Sequence, residues 1–158
     1  MTSSHRRLEL YLRDETRGLA GPQQDALIET AEALALTPAI DTVEIYEWPR
    51  KLAVEGHGPT DDRTLDVFNQ FSQWARDHGV QLHPAFSTRT CYDWETGNRY
   101  TALVLPVMAL AVFEDDELVA VYPHTDGETR QTVFDGLDAL DTPAEPAPDD
   151  EQFPVPAK

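Results

Sequence analysis

The sequence predicts an α+β domain: an N-terminal βαβ unit, a second helix, an antiparallel β-meander and a C-terminal helix around one mixed sheet. Three observations lead there. Apolar residues alternate at residues 8–12, then follow a helical stripe, then alternate again at 43–48. A broad helical stripe at 67–75 runs into Gly79. After Gly79 come short apolar runs separated by turn residues, and a last helical stripe at Val133, Leu137 and Leu140.

Leu8, Leu10 and Leu12 alternate with Glu9, Tyr11 and Arg13, the period of a half-buried strand. Leu27, Ile28, Ala31, Leu34 and Ala35 lie on one helical face, and that helix should stop before Pro38. Residues 43–48 form the second strand, closed by Pro49, and a loop follows through Gly56, Gly58 and Pro59. Thr60, Asp61 or Asp62 caps the second helix, whose stripe is Val67, Phe68, Phe71, Trp74 and Ala75; Gly79 supplies its left-handed stop. Residues 86–94 pair with 100–105 across Glu95-Thr96-Gly97-Asn98 as a hairpin. Residues 103–113 read as one central strand, bent at Pro106, with 118–122 as its hairpin partner. Thr125-Asp126-Gly127-Glu128 has the spacing of a capping box for the last helix. Residues 1–141 then make one domain, and 142–158, rich in proline and acid, make an extended, disordered tail. The doubly apolar run 103–113 needs cover on its second face, which a homodimer would provide.

Charge is the strongest compositional signal. Among the 158 residues, 29 acidic side chains face 12 basic ones, for a net charge of −17. Ten of the basic residues are Arg, and only Lys51 and Lys158 are Lys. Self-repulsion on this scale is screened when the Debye length shrinks from ~8 Å at physiological salt to ~3 Å at 1 M. The balance resembles that of the cytoplasmic proteins of extreme halophiles, so high cytoplasmic salt is expected. No apolar run is long enough for a membrane helix, and the N-terminus has no apolar signal segment, so a cytoplasmic location is expected.

Catalytic chemistry finds no foothold. Cys91 is the one cysteine; on a strand it reads as a small buried hydrophobe rather than a thiolate nucleophile. His124 and Asp126, with His83 as a distant third, lack the short-spaced second pair that a metal site requires. Neither phosphate-binding glycine pattern is present, so no metal and no cofactor are expected. Two surfaces stand out. Arg6, Arg7, Arg13 and Arg17 concentrate positive charge at the N-terminus, as a phosphate-facing strip or as charge protecting an exposed strand edge. Arg89, Tyr92, Trp94, Arg99 and Tyr100 lie on the arms of one hairpin, with the composition of a partner-binding surface or of a cross-strand scaffold.

The run Thr96-Gly97-Asn98-Arg99-Tyr100-Thr101-Ala102-Leu103-Val104-Leu105-Pro106-Val107, with Asp126-Gly127-Glu128-Thr129 and the opening Arg7-Leu8-Glu9-Leu10-Tyr11-Leu12-Arg13, resembles a family of small uncharacterised haloarchaeal proteins. Some members carry a helix-turn-helix label, which implies transcriptional regulation and brings no catalytic residues. A helix-turn-helix needs two consecutive helices, whereas here a strand separates the first two. The main expectation is a non-enzymatic regulator or adaptor of a halophilic archaeon, acting through a protein partner or itself, with weak or no nucleic-acid binding and no membrane. A DNA-associated transcriptional regulator is the alternative, and a small enzyme the third reading.

Overall fold

The computed structural model describes residues 5–13, 20–56 and 58–141. In chain order the elements are β1 (Arg6–Arg13), α1 (Ala20–Ala35), β2 (Thr42–Trp48), β3 (Lys51–Gly56), α2 (Asp62–His78), β4 (Ser87–Tyr92), β5 (Arg99–Val104), β6 (Met108–Glu114), β7 (Glu117–Tyr122), β8 (His124–Asp126), β9 (Thr129–Gln131) and α3 (Val133–Asp141). The α+β class holds, and β1-α1-β2 is a βαβ unit with β1 and β2 parallel. A mixed sheet of order β2-β1-β6-β7 lies at its centre. The other strands do not join it: β3-β5-β4 form an antiparallel sheet and β8-β9 a small ribbon.

Strand alternation sends side chains to two cores. Leu8, Leu10 and Leu12 of β1 and Leu110 and Val112 of β6 pack with Leu27, Ala31 and Leu34 of α1 and Leu137 of α3. The opposite face carries Tyr11, Trp48, Ala109, Ala111 and Phe113, which pack with Phe71 and Trp74 of α2 and with Leu52 and Leu103 of the second sheet. The face assigned above to a homodimer is therefore filled by the chain's own α2 and second sheet. Nor is β1 an exposed edge, since it pairs with β2 on one side and β6 on the other.

Residues 103–113 form two strands in different sheets rather than one bent strand. Proline has no N–H to continue a ladder, and at Pro106 the chain crosses from β5 to β6. The crossing carbonyls do not go unpaired. Leu105 O accepts from Arg13 Nη2 at 2.6 Å, Pro106 O from Trp48 Nε1 at 3.1 Å, and Val107 O from Gln24 Nε2 at 2.9 Å. The segment read as a loop after Pro49 contains β3, whose alternation is hidden by a bulge between Ala53 and Glu55.

Both ends of α2 match expectation: Asp61 accepts from the Thr64 amide, and Gly79 takes a left-handed φ of 68°. The capping box does not form at Thr125. Residues 125–128 belong to the β8–β9 hairpin, turned at Gly127 with φ 64°. The box lies seven residues later: Asp135 accepts from the amide and hydroxyl of Thr132, and Thr132 Oγ1 accepts from the Asp135 amide. The tail, 142–158, lies outside the described residues.

Candidate functional site

The β4–β5 hairpin is held by its turn. Asp93 N–H donates to the Asn98 carbonyl at 2.8 Å, and Gly97 N–H to the Asp93 carbonyl at 2.7 Å with Gly97 at φ 73°. Asp93 Oδ1 also accepts from the Glu95 and Thr96 amides. This locally satisfied turn presents Trp94 to solvent with 98% of its surface exposed. The register sets Tyr92 opposite Arg99, and the Arg99 guanidinium lies 5.3 Å from the Tyr92 ring centroid. Tyr92 is itself 60% exposed.

The five hairpin residues do not form one surface. Tyr92 and Arg99 share a face, with Trp94 beyond them on the turn. Tyr100 and Arg89 are on the other face, by strand alternation. Tyr100 is buried with Ala53, Cys91 and Ala102, under Gly58: a Cβ on Gly58 would sit 2.6 Å from the ring. Tyr100 is therefore scaffold, and Arg89 is exposed. Cys91 is buried opposite Tyr100, with Lys51 Nζ 3.5 Å from its sulfur.

The N-terminal arginines are engaged within the fold. Arg6 pairs with Glu114 at 2.6 Å. Arg7 meets Glu9 at 3.1 Å and Asp116 at 2.8 Å, and lies 4.3 Å over the Phe113 ring. Burial alone would lower the Arg7 pKa; the carboxylates of Asp116, Glu9 and Glu44 more than reverse this and hold it above its ordinary value. Arg13 binds the crossing carbonyl already described. Arg17 lies outside the described residues.

His124 places Nδ1 2.6 Å from the Val121 carbonyl, and its ring packs against Trp74 and Tyr122. Among the described residues, no group of three or more His, Cys, Asp and Glu is placed to hold a metal ion. His124 instead borders a cleft of about 330 Å³. Four separated segments build this cleft, around residues 82–85, 107–108, 123–125 and 130–133. No sequence spacing signals a site assembled that way.

Among the described residues the fold is thus an α+β domain of three helices, with an exposed Trp94 on the β4–β5 turn beside the Arg99–Tyr92 contact. The chain matches the model of a helix-turn-helix domain family over residues 1–145, and it belongs to that family. No curated protein and no solved structure matches it. Among the described residues no two consecutive helices are joined by a short turn: β2 and β3 separate α1 from α2, and β4 to β9 separate α2 from α3. No helix among them is long and apolar enough to cross a membrane.

Proposed function

We propose that this protein is a DNA-associated transcriptional regulator whose nucleic-acid contact runs through the β4–β5 hairpin. Family membership across residues 1–145 supports the regulatory class. The observation that carries the choice of surface is the exposed hairpin tip, with Tyr92, Trp94 and Arg99 on one side and the exposed Arg89 on the other face of the strand pair. The hairpin is the β4 edge of the β3-β5-β4 sheet, and strands set in the major groove let arginine read guanine edges. Strands β3, β4 and β5 with the 93–98 turn carry Lys51, Arg89 and Arg99 against Glu55, Asp93 and Glu95, a neutral island in a chain of net −17. The Arg89 side chain has no hydrogen bond or ion pair among the described residues, unlike those of Arg6, Arg7 and Arg13. In molar salt the phosphate term weakens steeply, so groove contacts and stacking have to carry the affinity.

A second reading, association with a protein partner, draws on the same tip. A fully exposed Trp beside an Arg–Tyr stack has the composition of an interface hot spot. One experiment separates the two: selection from a random duplex pool in molar KCl with wild type and Arg89→Ala/Arg99→Ala, alongside light scattering of wild type and Trp94→Ala. Enrichment of a sequence that the arginine variant loses supports the regulator. Absence of enrichment, with self-association lost in Trp94→Ala, supports the interface.

A further inference from the structure

We propose that the cleft beside His124 is a binding site for a small organic acid: an apolar body carrying one carboxylate. The inference stands apart from the DNA reading and rests on the cleft alone. Its volume, about 330 Å³, is at the small end of the range for ligand sites. The walls include Leu82, Pro84, Val107 and Met108, which suit an apolar body.

Charge identifies the other end. Although the chain has 29 acidic residues, none of the described residues that line the cleft is Asp or Glu, whereas Arg130 and His124 both are on its wall. The Arg130 side chain has no hydrogen bond or ion pair among the described residues, in a protein where Arg6 and Arg7 are each held by carboxylates. Asp135, the acid beside the cleft at the start of α3, is occupied by Thr132. With Nδ1–H donating to Val121, the His124 Nε2 is left as an acceptor, so the donor available to a carboxylate is the Arg130 guanidinium. A planar guanidinium pairs with a carboxylate through two parallel hydrogen bonds, which a neutral amide cannot reproduce.

Phenylacetate and hexanoate serve as probes, each with its neutral amide, on the full chain in molar KCl by calorimetry and amide chemical shifts. Saturable binding of at least one acid, at least about tenfold tighter than its amide, is expected, with shifts confined to the four segments that build the cleft. Arg130→Gln, at an exposed position, should remove the acid–amide difference, and Ala85→Phe should remove binding of both while circular dichroism stays native. The proposal is overturned if neither acid saturates at millimolar concentration, if amides match acids in the wild type, or if the preference survives Arg130→Gln.

Discussion

Tyr11 donates its phenolic hydrogen bond to Glu9, two residues earlier on the same strand, and both are buried. Alternation on β1 turns the two side chains to one face, where Arg7 takes the second Glu9 oxygen. The Tyr11 ring stacks on Tyr46 and Trp48 and meets Phe71 edge-on. A buried carboxylate is thus satisfied by one hydroxyl and one guanidinium, as burial in a core demands.

Stability should fall in alkali. Burial, then the bond to Glu9, pushes the Tyr11 hydroxyl well above its ordinary pKa of 10.0. Tyr46, bonded to Glu44, and the half-buried Tyr122 move the same way. Below about pH 10 both folded and unfolded chains keep these protons. Above it the unfolded chain releases protons that the fold retains, so Tyr11 alone should cost up to about 1.4 kcal/mol per pH unit. Denaturant titrations from neutral to alkaline pH test this. Tyr11→Phe should shallow the slope, while costing about 1–3 kcal/mol at neutral pH because Glu9 Oε1 loses its donor and only the Arg7 bond to Oε2 remains.

Trp94 and Tyr100 should behave oppositely. Trp94→Ala removes a ring that is 98% exposed, and should change stability by less than about 0.5 kcal/mol. Tyr100→Ala empties a buried cluster and should cost about 3 kcal/mol. Paired denaturation curves at fixed KCl measure both.

Gly136→Ala should destabilise the protein although it lies within a helix. Helix propensity alone favours alanine by about 1 kcal/mol. Here a Cβ would fall 2.5 Å from Cδ1 of Tyr122, and overpacking costs about 1–3 kcal/mol. A net loss on the order of 1 kcal/mol is expected, and pairing with Tyr122→Ala in a double-mutant cycle should reverse its sign.

Added salt should stabilise the fold. With a net charge of −17, stability should rise as KCl goes from about 0.1 M to 2 M. Thermal melts across that series decide it; a melting temperature independent of salt would contradict the expectation.

Elements whose identity depends on local period were legible. The stripe from Val67 to Ala75 and the stop at Gly79 specify α2 without outside information. The β4–β5 hairpin follows from two short runs around one turn. A bulge obscured β3, because a single inserted residue breaks the alternation by which a strand is read. The cap of α3 was misplaced for a different reason: Thr125 and Thr132 both precede an acid three residues on, and pairing of β8 with β9 decides between them.

The sequence by itself determined the class of fold, the apolar stripes of the helices, the acidic balance and the aromatic content of the hairpin. These follow from side-chain period and composition, which each short stretch carries within itself. Only the tertiary structure decided which sheet each strand joins and which charges remain available. Arg6 and Arg7 look like a basic strip until Glu114 and Asp116, 108 and 109 residues away, close on them. Arg130 keeps no such partner among the described residues and stands instead on the wall of a cleft built from four distant segments. The free energy of an ion depends on what surrounds it, and in a folded chain those surroundings come largely from residues far away in sequence.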